Sequence, residues 1–369
     1  MTDSAEVVVV GGGAVGASTA YHLTQLGITD VVLLERDTLA AGSTSKSAGG
    51  IRAQFADELN VRIALRAIDK FERFEDELGV DIDHRQWGYL FLLEDPDDVA
   101  AFRAALELQQ RLGVPSRELT VDEALELIPQ LSPEGLLAAT FCPLDGQATP
   151  ESVVQGYAAA ASRAGARVRQ GTAVERIVVE DGRIARVDTS AGPIACGTVV
   201  CAAGAWSGEL AAMAGFDLPV RGERRHVFFS PQDGGLPREL PLTTDFSTRF
   251  YFHREGPGIA FAAGRGETLE EVGPAAMRRL PLIEDLPIQS SWWGYYEMSP
   301  DHNALVGEAD EPSRFLYATG FSGHGFQQAP VVGEHLAELV AGREPTLDLS
   351  AFDAGRFARG EAREEQFVV

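Results

Sequence analysis

Gly11, Gly13 and Gly16 stand in GxGxxG spacing within EVVVVGGGAVGASTAYHL, and Glu35 closes the apolar run VVLLE. That set can hold a dinucleotide. The first glycine permits a tight turn after a strand, the second lets a pyrophosphate touch backbone, and the third lets the next helix pack on the strand. The helix N-terminus then faces the phosphates, and the carboxylate takes the ribose hydroxyls. An acid at that place also argues against a 2′-phosphate, hence against NADP. GxGxxG alone is a weak signal; here strand, helix, second strand and acid all stand in their places.

A second stretch, AGSTSKSAGGIRAQF, runs from Ala41 to Phe55. Nine of the ten residues from Ala41 to Gly50 are Gly, Ala, Ser or Thr, and Arg52 follows at once. Small side chains let a large group approach the backbone. A guanidinium clamps a carboxylate or a phosphate through two parallel hydrogen bonds, and it also makes structural ion pairs. The loop by itself leaves these roles open. Two more strand-to-glycine turns occur, in TVVCAAGAWS (Thr198 to Ser207) and in RFLYATGFSGHGFQQAPVVGEHLAELV (Arg314 to Val340). Three such turns suggest one extended cofactor, NAD or FAD, touched along its length. The last leads into a helix expected to start near Gln328. Its positive end beside a flavin pyrimidine ring would stabilise the anionic reduced form.

The elements that must position these groups are legible in part. Val7 to Val10 and Val31 to Leu34 read as buried parallel strands. Ala14, Val15, Ala20, Leu23 and Leu26 form a helical face that stops at Gly27. Leu59 to Gly79 and DPDDVAAFRAALELQQRLG read as amphipathic helices. HVFFS and RFYFH suit an antiparallel sheet roofing the cofactor, with His253 and Arg254 as surface residues. The tail GRFARGEAREEQFVV is polar and is expected to fray.

The chain has 369 residues, enough for two domains. A net charge of −24 argues against nucleic acid or an anionic membrane as partner. No apolar run reaches the length of a membrane span, and MTDSAEVVVV has no basic start or cleavable apolar segment, so a cytoplasmic place is expected. Cys142, Cys196 and Cys201 form no CxxC and read as buried thiols; the histidines lie far apart, so no metal is expected. GFSGHG superficially suggests a hydrolase elbow, but His324 stands where the last glycine of GxSxG belongs.

The pieces VVVVGGGAVGASTAYHL, VVLLER, GSTSKSAGGIRAQF, AAGAWS, YYEMSPDHNALVG and ATGFSGHGF together resemble the D-amino-acid oxidase superfamily of FAD enzymes, in its glycine oxidase and sarcosine oxidase branch. The resemblance implies an α/β (α+β overall) fold: a Rossmann-like FAD-binding domain built from 1–84, 150–218 and 304–369, and an antiparallel-sheet substrate domain from 85–149 and 219–303. It assigns cofactor contacts to Gly11, Gly13, Ala14, Val15, Gly16, Glu35 and Arg36. In the small-residue loop it assigns them to Ser43, Thr44, Lys46, Ser47, Ala48, Gly50 and Ile51. Further along it assigns them to Val174, Ala203, Gly204, Trp206, Gly323, His324, Gly325, Phe326 and Gln327.

The same resemblance implies catalytic positions. Arg52 would pair with a substrate carboxylate. Tyr251 and Tyr295 match substrate-contacting tyrosines. Gln327 stands where monomeric sarcosine oxidase has a carboxylate-binding lysine. In monomeric sarcosine oxidase a cysteine in the segment matching WWGYYEMSPDH holds the flavin covalently, and its place is read as Trp293. In dimethylglycine dehydrogenase a histidine of the first loop does so, and its place is Lys46. FAD is therefore expected to be non-covalent. Sarcosine oxidases use a lysine near flavin N5 to promote reaction with O2. That place falls near Ala262, with Arg265 close by in sequence, and the chain has no lysine beyond Lys70. The expectation leans to a dehydrogenase or slow oxidase, unless Lys46 substitutes. The reaction implied is oxidation of a primary or secondary amine or amino acid, sarcosine-like or N-alkylated, by hydride transfer to flavin N5. The resulting imine hydrolyses, and O2 or another acceptor takes the electrons. The alternative is the flavin subunit of a multi-subunit amino-acid dehydrogenase that passes electrons to a partner.

Overall fold

The computed structural model describes residues 3–368. Two eight-stranded sheets dominate it. In the first, Asp3–Val10 lies parallel between Val31–Leu34 and Gly192–Cys201. Arg167–Arg169 adds parallel at one side, and Phe315–Thr319 pairs parallel with Gly192–Cys201 at the other. Leu305–Glu308 closes that edge antiparallel. A hairpin of Val174–Glu180 and Arg183–Thr189 branches from Gly192–Cys201.

The continuous valine run works because both faces of this sheet are covered. Val7, Val9, Val31 and Leu33 pack into a core shared with the helices Ala14–Gln25, Glu58–Glu72, Pro150–Arg163 and Gly325–Val340. Val8, Val10, Val32 and Leu34 point the other way, against the hairpin and the helix Ser207–Met213. Alternation along a strand thus feeds two separate cores.

The second sheet runs Ser290–Met298, Arg221–Ser230, Gly258–Ala263, Phe250–Glu255, Leu242–Asp245, Tyr89–Leu93, Ala138–Cys142, Arg117–Leu119. All its pairings are antiparallel except Leu242–Asp245 with Tyr89–Leu93. Phe228, Phe250, Phe252 and Phe261 fill its far face. Val227, Tyr251, Ala260, Ala262 and Trp292 gather on the opposite face. Tyr251 is therefore sent towards the first sheet by the same period of two that buries its neighbours.

Several local expectations are corrected. The helix expected from Leu59 to Gly79 is two, Glu58–Glu72 and Phe74–Leu78, divided at Arg73. The last helix begins at Gly325, three residues before the expected Gln328, so its first turn includes the motif itself. His253 and Arg254 are buried, not surface residues. Arg254 donates to Asp233 at 2.6 Å and to the Pro237 carbonyl at 2.7 Å. The polar tail is held in place: Glu365 and Phe367 are buried, and the Phe367 ring stacks on Phe102 at 3.9 Å. Upstream, Arg356 forks onto Asp301 through bonds of 2.6 and 2.8 Å, and the Arg363 amide donates to the same carboxylate. One aromatic side chain and one buried ion pair outweigh the polar composition. Among the described residues no helix is long and apolar enough to cross a membrane.

Candidate active site

The carboxyl ends of the first sheet and the near face of the second enclose one cavity of about 460 Å³. It takes in every cofactor and catalytic residue expected from sequence except Gly16 and Ile51. These two sit one layer behind. A Cβ on Gly16 would fall 1.9 Å from the Gly11 carbonyl oxygen, so this glycine holds helix against turn. Ile51 is buried in the core, next to the backbone of a loop that does face the cavity.

The glycine turn leads into the helix Ala14–Gln25, which has no side-chain cap and no acid in its first turn. That leaves a positive helix end for an anion. The Glu35 carboxylate accepts from the Gly12 amide at 2.8 Å and the Asp37 amide at 2.9 Å, which fixes it at the end of Val31–Leu34. Beyond it, the Arg36 guanidinium lies 3.8 Å over Trp206. The small-residue loop is pinned on both sides. Thr44 Oγ1 accepts from the Ala14 amide at 3.2 Å, Ser43 Oγ donates to the Tyr295 carbonyl at 2.7 Å, and Trp292 Nε1 donates to the Lys46 carbonyl at 3.2 Å. The loop thus forms a floor between the glycine turn and the roof strand. A second uncapped helix, Gly325–Val340, points its N-terminus at the other end of the same cavity. An elongated diphosphate with a ring at each end matches two positive helix termini, a fixed acid and a floor without bulk. The residues fit FAD.

Arg52 is 2% exposed and lies under this second end. Its Nη1 donates to the Gln54 carbonyl. Its Nη2 donates to the Phe367 carbonyl and to His324 Nε2, the latter at 2.9 Å. Burial, then the Arg52 charge, holds His324 well below the usual imidazole range, so the ring is neutral and its Nε2 accepts. Gln327 Oε1 accepts from the Arg52 amide at 2.8 Å. The Gln327 side chain thus spends its oxygen on the loop and keeps its amino group for another partner. Behind the loop, Asp145 accepts from the Ala53 amide at 2.7 Å and from Gln54 Nε2 at 3.0 Å; burial raises its carboxyl to about 6.

Tyr251 lines the cavity as expected, together with Tyr89, Tyr296 and Arg225, which sequence reasoning missed. Burial raises all three phenols, Tyr89 to about 12, so they remain donors at neutral pH. Tyr296 packs over the last glycine turn, where a Cβ on Gly323 would come within 2.7 Å of its ring. The Arg225 guanidinium stands 4.9 Å from that ring. Tyr295 is on the other side of the strand, edge-on to Trp206 at 5.5 Å and near Trp293. The two tyrosines thus divide the cavity: Tyr295 flanks the Arg36 and Trp206 end, and Tyr296 flanks Arg52. Alternation along the roof strand was the signal that could have separated them. Trp293, read as the place of a covalent link, is 42% exposed and lies outside the cavity, where Gly294 stands instead. Arg265 is also outside this cavity, with a side chain 72% exposed. Glu297 was likewise missed; it accepts from Thr319 Oγ1 at 2.7 Å, and burial pushes it up to about 7.

Comparison with known proteins agrees with this geometry. Residues 6–339 match the DAO family, described as FAD dependent oxidoreductase. FAD-dependent oxidoreductase domain-containing protein 1 of Bos taurus is 32% identical over all of this chain and 87% of its own length. The 4-methylaminobutanoate oxidase (formaldehyde-forming) of Paenarthrobacter nicotinovorans is 30% identical over 95% of this chain, which spans 45% of that protein. The crystal structure of L-proline dehydrogenase from P. horikoshii superposes with a TM-score of 0.91 at 34% identity, covering 98% of this chain and 100% of that one. With a cavity built for an extended dinucleotide and a family match across nearly its whole length, the chain belongs to the DAO family of FAD-dependent oxidoreductases, and FAD is its cofactor.

Proposed function

We propose that the protein oxidises a small amino acid or secondary amine bearing a carboxylate, at the carbon attached to nitrogen. The reading is carried by one observation: two guanidinium groups, Arg52 and Arg225, meet three protonated tyrosines at the far end of the cofactor cavity. Bound FAD supplies the hydride acceptor, at its N5. The substrate C–H bond gives up hydride, the nitrogen lone pair forms the C=N bond, and water then hydrolyses the imine to a carbonyl compound and an amine.

The protein's part is positioning. The guanidinium charges draw the carboxylate to the Arg52 end, and the tyrosines wall the reacting carbon from water. Neighbouring positive charge also lowers the pKa of the bound ammonium, which favours the neutral amine that the reaction needs. His324 is a poor candidate for base, because its Nε2 already accepts from Arg52. FAD is held non-covalently in this reading, since Lys46 and Trp293 stand at the places read for covalent links and none of the three cysteines lines the cavity. The two sheets are read as a cofactor domain from 1–84, 150–218 and 304–369, and a substrate domain from 85–149 and 219–303.

A specific observation favours electron transfer to an acceptor other than O2. Ala262, paired with Tyr251 in the roof, holds the place where a lysine was sought, and Lys46 is the one lysine lining the cavity. The likeness to an L-proline dehydrogenase supports the same reading. Anaerobic titration of the yellow protein tests both points. The panel is sarcosine, proline, glycine, N-methylated and D- and L-amino acids, with 2-hydroxy acids as controls. Bleaching by an amine supports the class, and slow return of colour in air supports a dehydrogenase. Bleaching by hydroxy acids alone would refute the amine reading.

A further inference from the structure

A second cavity, of about 300 Å³, adjoins the first through Arg225, which lines both. Arg249 and Arg265 continue the cationic wall with His302 beside them, and the tail residues Glu364, Glu365, Gln366 and Val368 close another side. Three arginines thus gather at one place in a chain of net charge −24. Three carboxylates stand nearby, Glu364, Glu365 and Glu223, and none of them pairs with Arg249. Glu365 is turned onto the Ala56 and Phe367 amides and Asn60. Glu364 is exposed, 4.0 Å from His302. Glu223 alone serves Arg221, Arg225 and Arg265. Arg249 has no ion pair among the described residues. Its guanidinium sits 3.6 Å over Phe246, and its Nη1 is buried without a hydrogen-bond partner. Asp98 and Asp245 act on it only through space. A buried guanidinium N–H without an acceptor is costly, and it marks the place where an anionic oxygen would bind.

Arg52 adds a second reason to look here. A guanidinium offers a carboxylate two bidentate faces, and each needs an Nη2 hydrogen. Both are committed, to Phe367 and His324. Arg52 then offers one carboxylate a single N–H and its charge, while Arg225 at the junction retains unbonded N–H groups.

We propose that the second cavity is a subsite for a second carboxylate, so that the preferred substrate is an N-carboxyalkyl amino acid: a secondary amine with a carboxylate on each side of nitrogen. One carboxylate lies in the Arg52 end of the cofactor cavity. The other reaches past Arg225 to Arg249 and Arg265. The inference rests on the amine-oxidising reading and narrows its substrate.

The test is anaerobic titration of the holoenzyme with matched secondary amines. Sarcosine and iminodiacetate differ by one carboxylate, and N-(2-carboxyethyl)glycine extends the reach. The expected result is half-maximal bleaching by at least one dicarboxylate at a concentration about tenfold or more below that of sarcosine, the effect of one charge-assisted hydrogen bond. Arg249→Gln should bring the ratio towards one. Arg265→Gln should lower it too, and its exposed side chain makes loss of folding an inadequate explanation. Bleaching by sarcosine with no gain from either dicarboxylate overturns the subsite and leaves the amine reading standing. A preference unchanged in both variants also overturns the subsite. Failure of these and of every other amine to bleach the flavin overturns the underlying reading as well.

Discussion

Tyr295 and Tyr296 are adjacent in sequence, and the structure sends them to different ends of the cavity. Tyr296→Phe keeps the ring over the Gly323 turn and under Arg225 and removes only the hydroxyl. That phenol is raised by burial and stays protonated at assay pH, so it donates. A hydrogen bond to a charged carboxylate contributes about 1.5–3 kcal/mol. At about 1.4 kcal/mol per factor of ten, the loss in kcat/KM is roughly 10- to 150-fold. Tyr295→Phe keeps the contacts with Trp206 and Trp293 at the end of the cavity remote from Arg52, and should change kcat/KM by no more than about twofold. The assay is the rate of flavin bleaching under single-turnover conditions with the best amine of the panel, with bound FAD quantified for each variant. A large loss in Tyr295→Phe beside a small one in Tyr296→Phe would refute the division of the cavity drawn here.

Other outcomes follow from the same geometry. The Asp145 carboxyl titrates near 6, above its ordinary 3.8, so between those values the folded chain binds more protons than the unfolded one. The Asp145 contribution to stability should fall by about 3 kcal/mol as pH rises from about 4 to 6, against the opposite contribution of the buried histidines His22, His253 and His324, whose pKa values are lowered. Urea unfolding of wild type and Asp145→Asn at stepped pH isolates it: the stability difference between the two should change by that amount over this range, and an equal pH dependence in both would refute the assignment. Phe367→Ala removes the ring stacked on Phe102, a change that costs about 3–5 kcal/mol in a core. Limited proteolysis should then clip the tail well before the body; an unchanged cleavage pattern would show that the ring does not anchor it. Gly16→Ala forces a methyl against the Gly11 carbonyl oxygen, and the purified protein should carry little or no FAD by the visible absorbance of the flavin. Full FAD content in that variant would count against the tight turn.

Much of the site was legible along the chain because its chemistry is local. A glycine turn, the acid at the end of the next strand and a loop of small residues each act within a few residues of backbone, and their spacing is dictated by one strand, one helix and one diphosphate. Gly11, Glu35 and the loop from Ser43 to Gly50 could therefore be placed from their order alone, and the structure brings them to one cavity. The partners of Arg52 could not. His324, Gln327 and the Phe367 carbonyl come from segments far along the chain, and a tail that composition marks as polar is buried by one aromatic ring. Arg225, Arg249 and Tyr89 of the second sheet and its turns carry no motif either, and the roles of the tyrosines there depend on which face of a strand meets the cofactor cavity. A shift of one residue reverses that face, as Tyr295 and Tyr296 show. The sequence by itself determined the dinucleotide-binding frame, because local backbone sterics and strand periodicity suffice for it. Only the tertiary structure decided which charges face the substrate, because that follows from strand register and from the docking of distant segments.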